Sequence, residues 1–404
     1  MNCFENLTRH DTRSKLHLFM VKSDRSIIMI YLDHAATAPM PPKVLEVFIA
    51  TLESQWENAS SSYHLGRKAH AVLDKAREEI ARILHANPEE IYFTSGGTEG
   101  DNWAIQGVLQ EDASNQKLII SSIEHPAVME PCKSLLKKEI IIDTLPVNSL
   151  GRVSPSFVQS QIDTSTRLVS VMMANNEIGT IEPIQEIADK IHGLTLFHTD
   201  AVQTVGQIPI DLSRLNVDIL SASAHKFGGP KGIGFQYIRN GARLHSLMFG
   251  GGQERSLRPG TENVAAAAAM SAALQLAVDN LQEKMRYISE LRDQLQEMIT
   301  VKNPDILVNG DIHSRLPGNL HLSIPSIRST YLLYKLDQYG IAASAGSACS
   351  SGIIRNSHVM QAIGRSNSMA SLRLSLGIEN TYEEIESAAT VINKILETRK
   401  EKII

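Results

Sequence analysis

Three cysteines in 404 residues, with no C-x-x-C pair among them, leave no material for a disulfide framework or a zinc site built on paired thiolates. So sparse and odd a count suits a reducing compartment, and a cytoplasmic location is expected. Charge of one sign is missing too. Against 39 Lys and Arg stand 44 Asp and Glu, a formal net charge of −5. No global basic field exists to hold nucleic acid non-specifically, and no direct nucleic-acid partner is expected. No long apolar run is present either. The most apolar segment, Val264 to Val278 ("VAAAAAMSAALQLAV"), is too short and alanine-rich to span a bilayer, so no membrane partner is expected. Together with the following "DNLQEKMRYISELRDQLQEMI" it reads as one long helix.

What is there is ample. A hydrophobic content of 43% over this length supplies two ordinary domains with sizeable cores. Residues 1–28 are polar, weakly periodic and without the apolar core of a signal peptide, and Glu5, Asp11 and Asp24 interrupt their basic residues. They read as a tail or a misplaced start. Met29, directly before "IYLDHAATAP", opens the folded unit. From Ile30 to about Asn240, short β-branched runs alternate with helical patterns such as "SYHLGRKAHAVLDKAREEIARILHA" and "PIQEIADKIHG". The strand candidates are "EIYFTS", "KLIISSIEH", "EIIIDTLPV", "RLVSVMMANN", "LTLFHTDAV", "DILSASAHK" and "GIGFQYI". Several are apolar throughout, as expected when helices cover both faces of a mostly parallel sheet. The expected architecture is a large α/β sandwich over 29–262. A linking helix and a smaller α+β domain over 263–404 follow, with "NLHLSIP", "STYLLYKLDQYG", "SLRLSLG" and a final helix from Tyr382.

Polar residues gather where those strands finish, the edge at which such sheets bind ligands. "TSGGTEG" sets Gly96, Gly97 and Thr98 between a strand and a helix, where backbone N–H groups favour an anion. "SIEHPAV" puts His125 at the next strand end, "MANNEIG" offers Asn176, and "FHTDAVQ" offers Asp200 and Gln203. Asp200 closes an apolar run, where a carboxylate costs desolvation unless it meets a positive partner. The protonated ring nitrogen of pyridoxal phosphate is one candidate. In "SASAHKFGGPKGIG", Lys226 follows small residues and precedes two glycines and a proline. A solvated turn lysine, a phosphate cradle and an amine for covalent chemistry with a carbonyl cofactor are the three readings; the cradle lacks P-loop spacing.

The ordered motifs "YLDHAATAP", "NASSSYHLGRKA", "FTSGGTEGDNWAI", "EHPAV", "NNEIGTIEPI", "HTDAVQTVG", "SASAHKFGGPKGIG", "GGGQERSLRPGTEN", "GSACSSG" and "RLSLG" run from about Tyr31 to Gly377. In this succession the chain resembles the cysteine desulfurases of the NifS/IscS type, in the class V aminotransferase group of fold-type I pyridoxal-phosphate enzymes. The resemblance implies that Lys226 carries pyridoxal 5'-phosphate as a Schiff base. Asp200 pairs with the pyridine nitrogen, Gln203 with the phenolic oxygen, and His125 stacks over the ring. Gly97, Thr98, Ser223 and His225 resemble the phosphate-binding residues. Thr261 resembles one that reaches the phosphate of a second subunit, which implies a homodimer. Asn176 and Arg373 would hold the carboxylate of L-cysteine, since a guanidinium fork suits that planar anion. On the residues alone, Arg373 would pass for a strand-end surface arginine. Cys349 occupies the persulfide position; alone it would read as a small buried filler, and Cys132 reads as a helix residue.

The stretch Ala343 to Gly352, "ASAGSACSSG", has little side chain to anchor, so a mobile loop carrying Cys349 between cofactor and surface is expected. Two departures stand out. Gly100 replaces the Ser or Ala that relatives often carry, a change at the helix start, and the segment from Cys349 to Arg373 is shorter than in scaffold-loading members. The acceptor therefore stays open among iron–sulfur scaffolds, tRNA-thiolation enzymes and DNA-phosphorothioation enzymes. Selenocysteine lyase and a catalytically silent sulfur-transfer scaffold are the rival functions.

Overall fold

In the computed structural model, which describes residues 29–109, 115–346, 357–365 and 368–400, all seven strand patterns of the first half enter one sheet. A two-residue strand β1 (Ile30–Tyr31) and helices α1 (Pro42–Ser54) and α2 (His64–Leu84) lead into β2 (Ile91–Thr94) and α3 (Gly97–Gly107). The chain continues through β3 (Lys117–Ser121), α4 (Pro126–Leu135), β4 (Ile141–Leu145), α5 (Pro155–Ser160) and β5 (Thr166–Ser170). Then come α6 (Ile184–Ile191), β6 (Leu196–Asp200), β7 (Ile219–Ser223) and β8 (Gly234–Ile238). In space the order is β2-β8-β7-β6-β5-β3-β4, and β8 alone runs antiparallel to both its neighbours.

The apolar-throughout strands have the expected cause. Ile119, Val169 and Leu220 face a core shared with Leu73 and Ile80 of α2, while their neighbours Leu118, Leu168 and Ile219 face another with Trp103 and Leu135. Successive residues of a strand point to opposite faces, so a sheet covered on both sides is apolar at every position.

The later part comprises α7 (Val264–Val278), α8 (Leu281–Thr300), β9 (Leu307–Asn309), β10 (Asn319–Ile324), α9 (Ser329–Gln338) and β11 (Ile341–Ala342). It ends with α10 (His358–Ala362), β12 (Ala370–Ser375) and α11 (Tyr382–Lys400). β12, β10 and β9 form an antiparallel sheet, and β11 pairs in parallel with β1. Leu291, Leu320, Leu372 and Ile385 centre a second core, which Ile30 and Leu32 join from the other end of the described chain.

The long helix expected over residues 264–299 is two helices. They meet at 71°. The break falls at Asp279, whose ψ of 122° leaves the helical region, and at Asn280, whose φ of 54° is left-handed. Lys284 of α8 turns back and its Nζ donates to the carbonyl of Leu276 at 2.5 Å, holding the open end of α7. Hydrophobic periodicity runs straight through this point; the Asp-Asn pair is the turn signal it overrode. Among the described residues no single helix is long and apolar enough to cross a membrane.

Candidate active site

Lys226 sits three residues past β7, at the end of a single helical turn over Ala224–Lys226. The two glycines behind it have a steric reason. Gly228 has a φ of +84°, and a Cβ there would lie 2.9 Å from Pro41 Cδ; a Cβ on Gly229 would lie 2.8 Å from that of Ala224. The chain can fold back directly under the lysine only if both lack side chains. Lys226 Nζ donates to the carbonyls of Ala35 at 2.6 Å and Ala36 at 2.9 Å. Gln203 Nε2 donates to the same Ala35 carbonyl at 3.1 Å. Burial pushes the Lys226 ammonium down to about 8, with Arg373 adding to the effect and Asp200 and Asp33 opposing it. This is no solvated turn lysine.

Asp200 ends β6 and is buried, with Oδ1 accepting from the Val202 N–H at 2.9 Å. His125 is the N-cap of α4, its Nδ1 accepting from the Ala127 N–H at 3.1 Å. That bond leaves Nε2 to carry the ring proton and opposes a second one. Burial lowers the His125 pKa, against the pull of Asp200 and with the help of Lys226. One carboxyl oxygen each of Asp101 and Asp200 and one ring nitrogen of His125 lie within 4.8 Å of one another. Burial raises the Asp200 pKa, so a cation at its free side would restore its charge.

The start of α3 supplies an anion site beside them. The first N–H groups of a helix have no intrahelical partners, and α3 points them out of the sheet edge from Gly97 onward. A Cβ on Gly97 would collide with Val202 Cγ2, so the helix end approaches the turn just after Asp200 only as glycine. Ser223 borders this end, its Oγ 3.3 Å from where a Gly96 Cβ would stand, and Thr98 is exposed next to it. His225 shares a hydrogen bond with Thr37 Oγ1 at 3.2 Å and is pushed down to about 4 by burial and by Lys226 and Lys231.

Arg373 belongs to the second core. It lies buried within β12, not at a surface strand end. Its NH2 donates to Asp33 Oδ1 at 2.7 Å and its NH1 to the carbonyl of Asn176 at 2.9 Å. Sequence reading missed Asp33 and the two carbonyls around Lys226, although all lie in the quoted "YLDHAATAP". Thr261 is exposed in the loop before α7. Cys349 and Cys3 lie outside the described residues. So does most of the small-residue stretch, but its first part is tied down: Ser344 and Arg373 exchange backbone hydrogen bonds at 2.6 and 3.2 Å, and Ala345 is buried. Cys132 is buried in α4, and burial with the nearby Glu124 pushes its thiol up to about 12. It has no useful thiolate near neutral pH.

The donor set fits pyridoxal phosphate. An amine of depressed pKa suits its aldehyde, a buried carboxylate its ring nitrogen, a fixed imidazole its face, and a glycine-started helix with adjacent hydroxyls its phosphate.

Residues 30–387 match the family described as Aminotransferase class-V. A relative named Cysteine desulfurase IscS, from Dictyoglomus turgidum, is 43% identical over 372 residues, covering 91% of this chain and 94% of its own length. A solved NifS-like protein is similar with a TM-score of 0.86 at 36% identity, covering 92% of this chain and 100% of that one. A solved structure described as SspA in complex with cysteine gives a TM-score of 0.76 at 30% identity, over 87% of this chain and 100% of that one.

Proposed function

The chain belongs to the class-V aminotransferase family and, within it, to the pyridoxal-phosphate-dependent cysteine desulfurases; we propose the following division of labour among its residues. The substrate is L-cysteine and the product sulfur passes to an acceptor. When bound, the cofactor supplies an electron sink for charge left on the substrate Cα. Lys226 would hold it through its side-chain amine and, when free, is placed to accept the Cα proton of the substrate. Asp200 would pair with the cofactor's ring nitrogen and Gln203 with its phenolic oxygen, while His125 would stack on the ring and move protons. Gly97, Thr98, Ser223 and His225 would hold the phosphate, joined by Thr261 from a second copy. Arg373 exchanges its Asp33 contact for the substrate carboxylate, with Asn176 beside it. The Cys349 thiolate then attacks the substrate sulfur. An S–S bond forms as the Cβ–S bond breaks, and the carbon keeps the electron pair, takes a proton and leaves as L-alanine. Cys349 retains the persulfide.

The observation that carries this reading is the meeting of an amine of depressed pKa with a buried carboxylate and a fixed, neutral imidazole at one sheet edge. Lys226→Ala should form no alanine from cysteine and should purify without the visible absorbance of bound cofactor. Alanine production at the wild-type rate by that variant would sink the assignment.

A homodimer is part of the reading. Phe249 is 97% exposed and Trp56 76%, and Met248 and Tyr63 are also exposed. Ser60 and Glu262 hydrogen-bond between the two loops that carry these groups. Large apolar side chains so exposed near Thr261 call for a covering surface, and a second copy would bring Thr261 with it. The acceptor is read as a protein of iron–sulfur assembly, tRNA thiolation or DNA phosphorothioation in the cytoplasm. Capture under non-reducing conditions, with cysteine present, tells these apart.

A further inference from the structure

One buried acid has no part in the steps above. Asp101, in the second turn of α3, is 1% exposed, and its Oδ1 has no hydrogen-bond partner. Its nearest basic neighbour is His198 of β6, whose Nε2 lies 3.5 Å away. His198 gives it no charge. Its Nδ1 meets Ser170 Oγ at 2.8 Å and its Nε2 meets Ser221 Oγ at 3.0 Å. Ser221 Oγ also lies 3.0 Å from Gln236 Oε1, and both ring nitrogens of His198 are engaged by serine hydroxyls. Burial pushes His198 down to about 3, and it stays neutral.

The other side is no better. The carboxyl oxygens of Asp101 and Asp200 come within 4.8 Å, with only the His125 ring nitrogen completing the group. Glu124, from the β3–α4 connection, is the remaining acid that acts on Asp101, and the facing residues Ser221 of β7 and Gln236 of β8 carry no charge. Lys226 acts on Asp200. Gly100 is what lets α3 sit this close, since a Cβ there would collide with Gln236 Oε1 and stand 3.0 Å from Ser221 Oγ.

Two carboxylates at this separation, out of water and without a shared cation, do not both ionise. Asp200 has the Val202 N–H, His125 and Lys226 to favour its charge, whereas Asp101 has only the uncharged Ser221 hydroxyl and no cation. We propose that Asp101 and Asp200 share one proton, that Asp101 holds it, and that Asp101 is thereby a positioning residue leaving Asp200 as the lone anion toward the ring nitrogen. The functional part of this inference rests on the cofactor assignment above. The location of the proton does not.

The test is infrared spectroscopy of the holoenzyme in the carboxylic-acid C=O region near neutral pH. Glu124 and Glu182 are pushed up to about 8 and contribute bands of their own, which E124Q and E182Q identify. D101N should lose one further band while retaining bound cofactor at wild-type occupancy. With D200N the neighbouring charge is gone, and the pH midpoint of the Asp101 band should fall by about one unit or more. A D101N spectrum with every band intact would overturn the proposal, as would an unmoved midpoint in D200N; a cation shared by two ionised carboxylates gives the first of these results. Failure of the cofactor assignment would show differently, as a D200N protein whose cofactor absorbance is unchanged.

Discussion

In the proposed reading Lys226 is both a covalent anchor and a proton acceptor, and an ordinary lysine does neither well at neutral pH because its lone pair is protonated. Its pocket corrects this by burial, with Arg373 as the next contributor, which together lower the ammonium to about 8. The free amine is the form that captures an aldehyde. Capture of pyridoxal phosphate by the cofactor-free protein should therefore accelerate as pH rises through about 8 and level off above it, as followed by rapid-mixing absorbance. A rate still climbing toward the usual lysine range near pH 10 would show that the pocket does not depress this amine. Cys132 makes the opposite case. The same burial pushes a thiol up to about 12 and silences it.

Elements differed in how much of themselves they showed in the sequence. All seven strands of the large sheet were legible as short runs rich in β-branched residues, and where helices cover both faces, as at Leu118, Ile119 and Ile120, every position is apolar and the pattern is local. The α7–α8 break was not, since alanine-rich and amphipathic periodicity continue across Asp279 and Asn280 while two backbone angles end the helix. Positions along the chain also pointed to the strand-end residues that the fold brings together, Asp200, His125 and Lys226. What no local pattern could give were pairings across the fold: Asp33 with Arg373, 340 positions apart, or the Ala35 carbonyl under Lys226. Asp101 was invisible for the same reason, lying in a quoted motif but acquiring meaning only where α3 meets the end of β6. The small-residue stretch shows the limit of composition. Side chains too small to anchor it imply mobility, yet Ser344 is held through its backbone by β12.

At the scale of the whole molecule, the site is assembled from two cores. The large sheet presents Lys226, Asp200 and His125, and the smaller sheet presents Arg373 next to the backbone of Asn176. In the proposed dimer a second copy would cover the exposed Phe249 and Trp56. Sedimentation should show a dimer, and Thr261→Ala should lose cofactor faster on dialysis; a stable, fully active monomer would refute the shared site. The central claim is that sulfur leaves cysteine onto Cys349, and its most direct measurement is mass spectrometry of the protein after exposure to L-cysteine without reductant. The account predicts one added sulfur on Cys349, one alanine released with it, and neither in Cys349→Ser, although that variant still binds cysteine with a change in cofactor absorbance. Added sulfur on Cys132 or Cys3, or a Cys349→Ser protein that still loads sulfur, would contradict it.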